Sequence, residues 1–115
     1  ANTAEKLGLA YTFHQDSPVI RSDMLETLWC AACRLTKSGV LLGKEERVSV
    51  LEALRAVTVH AAHQYFEEDE KGSLSAGKRA DFVILDKDPL KTPTDELKRI
   101  RVLETVKNGN TVYSA

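Results

Sequence analysis

The dipeptide Asn108-Gly109 restricts this chain more than any other feature. A two-residue hairpin loop of type I′ needs positive φ at both central positions, and Asn followed by Gly supplies it at the least steric cost. Val102–Lys107 lies on one side and Thr111-Val112-Tyr113 on the other, both rich in β-branched residues. Two antiparallel strands are therefore predicted to close the chain. The β texture already begins at Gly72. Gly72 and Gly77 flank Ser73-Leu74-Ser75-Ala76, and residues 80–85 are apolar apart from Asp81. That stretch reads as two tight turns followed by a buried strand, with Asp81 accepting from backbone donors in the turn. Asp86-Lys87-Asp88-Pro89 has turn chemistry, and Thr94-Asp95-Glu96-Leu97 reads as a short helical turn.

The first half has helical periodicity. Ser22 and Asp23 are helix-start residues, and Leu25, Leu28, Trp29, Ala32 and Leu35 recur at helical spacing until Ser38-Gly39. Ser49 and Glu52 form a capping box ahead of a second helix, predicted over residues 50–65 with Leu51, Leu54, Ala62 and Tyr65 on its apolar stripe. Upstream, residues 4–9 read as the end of a helix closed by Gly8. Residues 9–13 read as a short strand, stopped by His14-Gln15-Asp16-Ser17 and Pro18. Helices followed by strands predict an α+β fold. Two main helices, over residues 22–37 and 50–65, would pack on a small sheet of residues 82–85, 102–107 and 111–113.

A chain of 115 residues is one ordinary domain or parts of two. It can bury roughly two-thirds of its unfolded surface if compact, and 43% apolar residues are enough for a core. Sixteen basic side chains against 17 acidic ones, with no sustained basic stripe, speak against nucleic acid or an anionic membrane as partner. No apolar run approaches the roughly 20 residues of a membrane span, and no signal segment opens the chain. The expected compartment is the cytoplasm. The chain starts Ala-Asn-Thr and its one methionine is Met24, so an excised or processed piece is expected.

Three constellations carry candidate chemistry. His14 and Asp16 lie two apart just past a predicted strand end, the edge from which catalytic side chains project in barrel enzymes. Asp16 either binds a metal or acts as a general base, or it merely begins the turn before Pro18. Cys30 and Cys33 form C-x-x-C, but in mid-helix rather than at a helix N-terminus where the dipole lowers a thiol pKa. Structural thiols are expected; a zinc half-site would need His60 and His63 to complete it. H-A-A-H lacks the acid of a metalloprotease helix, so His60 and His63 read as surface or partly packed. Glu67-Glu68-Asp69-Glu70 reads as a solvated turn.

The stretch Gly72-Ser73-Leu74-Ser75-Ala76-Gly77-Lys78-Arg79-Ala80-Asp81, continuing through Phe82-Val83-Ile84-Leu85 to Asp86, resembles the C-terminal segment of the metal-dependent amidohydrolase superfamily. That segment runs Gly, short strand, Gly-Lys, Ala-Asp, then a strand ending in Asp. Ser49-Val50-Leu51-Glu52-Ala53-Leu54 and Thr58 resemble the helix before it. Phe13-His14-Gln15-Asp16-Ser17-Pro18-Val19 resembles the end of the last barrel strand, His-Ser-Asp-Ala-Pro-Val, in the long-chain, imidazolonepropionase-like and N-substituted formamide deformylase-like branch. Gln15 stands where that motif has Ser, and Ser17 where it has Ala.

The resemblance runs from about Leu9 to Tyr113. It implies a (β/α)₈ barrel with a small β-sandwich built from both chain ends. It also implies one or two divalent metals, often zinc, activating a water that attacks a small-molecule, amide-type substrate. In several such enzymes the aspartate after the last strand binds metal and takes a proton from that water. This role maps onto Asp16, with His14 as a neighbour. Residues 1–66 would be the last barrel strand and C-terminal helices, and residues 67–115 the C-terminal part of the sandwich.

The departures are as informative. The family's His-x-His pair, its bridging Lys or Glu and its two later histidines are absent, and of three histidines only His14 sits in a family motif. A catalytic metal takes three or more protein ligands, so the isolated chain is expected to hold no metal and hydrolyse nothing. A barrel cannot close on one or two strands, so residues 9–13 are expected to be disordered or repurposed. Three functions stay open: part of a hydrolase of carbon–nitrogen bonds other than peptide bonds, a non-catalytic relative that regulates exoenzyme production, or a structural sandwich module. No basic recognition helix supports direct DNA contact. Substrate identity is not legible, because the pocket of such a barrel is built by loops after many strands.

Overall fold

The computed structural model describes residues 1–115. Four helices precede three strands: α1 Asn2–Lys6, α2 Met24–Cys33, α3 Val50–Val57, α4 Val59–Gln64, β1 Phe82–Leu85, β2 Val102–Lys107 and β3 Asn110–Ser114. Short 3₁₀ turns cover Lys44–Glu46 and Thr94–Arg99. The strands form one antiparallel sheet in the order β1-β2-β3. The α+β class predicted from sequence is the class observed.

The C-terminal hairpin follows from its turn. Asn108 and Gly109 have φ of 50° and 77°, and Lys107 pairs with Asn110 across the loop. Asp81 caps this turn from the neighbouring segment: the Asn108 N–H donates to its carboxylate at 2.6 Å. The Gly109 N–H donates to the Ala80 carbonyl at 3.0 Å. Asp81 thus serves the distant hairpin rather than its own turn.

Both long helices are shorter than their periodicity predicts. Asp23 caps α2, accepting from the Glu26 N–H at 3.1 Å, but the helix ends at Cys33 because Arg34 takes a left-handed backbone, φ 59°. The next residues fold back as a loop, with Leu35 bridged to Leu41. Ser38-Gly39 marks the tip of that loop, not a helix end. The helix predicted over residues 50–65 breaks at Thr58, where φ is −123° and ψ −88°. The Thr58 hydroxyl donates to the Leu54 carbonyl at 2.6 Å, taking the acceptor its own N–H would use, and that N–H turns to Arg55 instead. The β-branched run Val57-Thr58-Val59 adds a low helix propensity at the same point.

Twelve residues of 115 are buried; nine of them form two small clusters, and Ala56, Ala62 and Val106 are buried outside both. Trp29, Ala32 and Cys33 of α2 pack with Leu97 and Ile100. Leu28 and Ala31, on another face of α2, pack with Val48 and Ala53. Helix α2 is the shared wall of both.

The strand reading of residues 9–13 does not hold, in line with the expected loss of its neighbours, and two further expectations are corrected. Residues 9–13 form no strand: none of the backbone amides of residues 10–13 joins a backbone hydrogen bond, while Tyr11 and Phe13 pack their rings against the second cluster. A lone strand with no neighbour has no ladder to join. Strand β1 is not buried either, as Phe82, Val83 and Ile84 are 37%, 52% and 43% exposed. Nor do the helices lie on the sheet. Leu85 of β1 packs against the cluster that α2 builds, but an open cleft of about 1640 Å³, lined by Leu25, Leu54, Val57, Phe82, Val106 and Tyr113 among others, lies between the helices and much of the sheet. A strand apolar on both faces needs a layer on each side, and this chain supplies neither in full.

Candidate functional site

The segment holding His14 and Asp16 is fixed by side chains rather than by a sheet. The Tyr11 and Phe13 rings stack with centroids 5.5 Å apart, and Tyr11 meets the His60 ring edge-on at 6.2 Å. The His60 ring nitrogen Nδ1 lies 3.3 Å from the Tyr11 carbonyl, which can only accept. The Thr12 hydroxyl donates to the Gln64 side chain at 2.7 Å. Helix α4 therefore holds residues 11 and 12 from one side.

His14 and Asp16 are both exposed, and neither side chain makes a hydrogen bond within the chain. Asp16 has a left-handed backbone, φ 53°, and its carbonyl accepts from the Val19 N–H at 2.8 Å. Asp is among the few non-glycine residues that tolerate this conformation. Between the two, Gln15 turns inward. Its amide nitrogen donates to the Asp23 carbonyl and, at 2.6 Å, to the Thr27 hydroxyl.

The remaining candidates stay apart. No set of three or more His, Cys, Asp or Glu side chains gathers in metal-binding geometry, so the residues of this chain do not by themselves fit a catalytic metal. His63 pairs with Glu68 at 2.7 Å and His60 is turned to Tyr11. Cys30 and Cys33 are free thiols. Burial pushes both up, reinforced at Cys30 by Glu26, which is the opposite of what a redox or zinc-binding thiolate requires. Cys33 is a packed core residue whose Sγ donates to the Thr94 carbonyl at 3.4 Å. No helix is long and apolar enough to cross a membrane.

The sequence reading missed the Gln15 anchor. Its one visible signal was Gln15 itself, a long amide at a motif position that otherwise carries a short hydroxyl.

The family profile described as "Amidohydrolase family" matches residues 1–113, almost the whole chain. The chain belongs to the amidohydrolase family. This amidohydrolase chain is similar to an N-substituted formamide deformylase of Arthrobacter pascens, 37% identical over 102 residues, which are 89% of this chain and 19% of that protein. It is 33% identical over 84 residues to an imidazolonepropionase of Streptococcus gordonii, covering 69% of this chain and 23% of that one. A putative amidohydrolase of Bacillus subtilis strain 168, YtcJ, is 29% identical over 101 residues, covering 85% and 19%. The chain thus spans about a fifth of the length of the curated relatives it matches. In fold it resembles part of an amidohydrolase from Thermotoga maritima MSB8, with a TM-score of 0.68 over 99% of this chain and 26% of that one, at 22% identity.

Proposed function

We propose that this chain is the C-terminal part of a metal-dependent hydrolase acting on carbon–nitrogen bonds other than peptide bonds in small amide-type molecules. The observation that carries the reading is the family match across residues 1–113, which takes in the Asp16 turn. Similarity to a protein named as an N-substituted formamide deformylase supports an N-substituted formamide as the substrate class to try first.

In this reading residues 1–66 complete the hydrolase barrel and residues 67–115 its small sandwich domain. The apolar, half-covered faces of β1 agree with a sheet that other parts of the protein cover. Asp16 is the catalytic contribution of this chain. Its exposed carboxylate, unengaged by any other group of the chain, can take the proton of an attacking water. It is also the one motif carboxylate offered towards a divalent metal, zinc by resemblance, whose other donors lie outside these residues. His14 is its neighbour in the motif. The 115-residue chain alone supplies too few donors and is inactive.

The test is hydrolysis of N-substituted formamides by the full-length protein, read by release of formate, beside the isolated chain and full-length Asp16→Asn. The expected result is turnover by the full-length protein alone. Turnover by the isolated chain, or unchanged turnover in Asp16→Asn, would refute the reading.

A further inference from the structure

We infer that Gln15 is a positioning residue that ties the Asp16 turn to the first turn of α2; this rests on the reading of Asp16 as the catalytic carboxylate. The inference comes from the hydrogen-bond pattern around the turn. Asp16 sits in a left-handed conformation, which costs a non-glycine residue free energy and persists only when its surroundings hold it. On its C-terminal side the turn is closed by the Val19 N–H on the Asp16 carbonyl. On its N-terminal side the closure is Gln15.

Chemistry fixes which end of the Gln15 amide faces the helix. The Asp23 carbonyl can only accept, so the NH₂ group must point at it. The second N–H goes to the Thr27 hydroxyl at 2.6 Å. That hydroxyl in turn donates to the Asp23 carbonyl at 3.1 Å. Gln15, Asp23 and Thr27 therefore close a small ring of donors and acceptors. Asp23 is also the cap of α2, through its side chain on the Glu26 N–H. The residue immediately before the carboxylate is thus bolted to a capped helix end. The short hydroxyl found at this place in the motif lacks the stem length with which Gln15 spans the gap. Gln15 is taken up by these partners, while the adjacent Asp16 side chain is exposed.

Catalysis by a positioned group is sensitive to displacement on the scale of an ångström. Gln15 touches no reacting atom in this arrangement; it acts through Asp16. Removing its donors therefore lowers kcat and leaves KM nearly unchanged, because the loss is confined to the transition state.

The experiment uses the full-length protein with Gln15→Leu, Gln15→Asn, Thr27→Val and Asp16→Asn, and N-butylformamide as probe. Two readouts are taken: kcat and KM from formate release, and hydrogen exchange of the Val19 amide, which reports the Asp16 turn without any substrate. Gln15→Leu is expected to speed Val19 exchange and to lower kcat about 10- to 100-fold with KM within about twofold. Gln15→Asn keeps both donors on a shorter stem and recovers part of the loss. Thr27→Val removes one acceptor, and its effect is less than additive with Gln15→Leu, as expected of two members of one network. Unchanged Val19 exchange in Gln15→Leu overturns the inference, whatever the activity. Faster exchange with unchanged kcat overturns it too, and leaves Asp16 standing if Asp16→Asn has lost turnover. If Asp16→Asn turns over normally, the underlying reading fails and the positioning role falls with it.

Discussion

A Cβ built on Gly72 would stand 2.8 Å from the Cβ of Ala62. The same carbon would lie 3.1 Å from the Val59 Cα and 3.2 Å from the Thr58 carbonyl oxygen. The bare backbone of Gly72 therefore rests on the break between α3 and α4. Its φ is +85°, at a position that lies between α4 and β1 along the chain. The helical and β halves are joined at a point where no side chain fits.

Gly72→Ala is accordingly expected to destabilise the chain by about 1–3 kcal/mol for the left-handed backbone, plus the clash with Ala62. Gly77→Ala separates the two contributions. Gly77 has φ +90° but open space around its Cβ direction, so it reports backbone strain alone. Urea unfolding of both variants checks this, and equal losses would show that the contact with Ala62 carries no weight.

How legible each element was follows from the range of its cause. Asn108-Gly109 was legible because a type I′ turn is decided by the two residues in it. The Ser49 cap was half legible: its hydroxyl accepts from the Glu52 N–H at 3.1 Å, yet the Glu52 carboxylate pairs with Arg55 rather than returning to Ser49. The break at Thr58 was signalled in sequence only by the β-branched run Val57-Thr58-Val59, since the apolar stripe runs straight across it and the Gly72 backbone that packs there comes from another part of the chain. Strand β1 was misread as buried because burial depends on layers that residues 1–115 do not provide. At the site, His14 and Asp16 were found by resemblance, whereas the Gln15 anchor depends on Thr27, twelve positions away.

Acid should weaken the fold partly through Asp86. Hydrogen bonds from the Arg101 backbone N–H at 2.8 Å and then from its Nε at 3.0 Å hold the Asp86 carboxyl below its ordinary value of 3.8. A carboxyl with a depressed folded pKa binds fewer protons in the native state than in the unfolded chain. Its stabilising contribution is therefore complete above the unfolded value and is lost as pH falls through the folded one. Asp86→Asn is expected to be less stable than wild type at pH 6 and to lose less on going to pH 3. Urea midpoints at the two pH values test it; parallel losses would remove Asp86 from the account.

Hydrogen exchange should distinguish the two aromatic anchors from a true strand. Ring packing and the α4 contacts to the Tyr11 carbonyl and Thr12 hydroxyl hold residues 10–13 without engaging any of their backbone N–H groups, so the amides of that segment are expected to exchange nearly as fast as in an unstructured peptide. Ala53, fully buried and donating to the Ser49 carbonyl at 3.0 Å, supplies the protected reference. Protection of residues 10–13 equal to that of Ala53 would mean that the segment finds a pairing partner in solution.

Zinc titration of the isolated 115-residue chain should give no stoichiometric binding at micromolar concentration. A structural zinc site closes with four N or S ligands and a catalytic one with three protein ligands. Four of the five histidine and cysteine donors have a reason not to join one. His60 faces the Tyr11 carbonyl and His63 the Glu68 carboxylate. Metal binding requires the thiolate form, and desolvation, joined at Cys30 by the Glu26 charge, raises both Cys30 and Cys33 away from it. That leaves His14 and Asp16, two donors at an exposed turn, short of either count. Asp16→Asn is therefore expected to leave the calorimetric titration unchanged. A one-to-one site of micromolar affinity that disappears in Asp16→Asn would show that the turn gathers further ligands in solution, and the assignment of the missing donors to regions outside these residues would have to be abandoned.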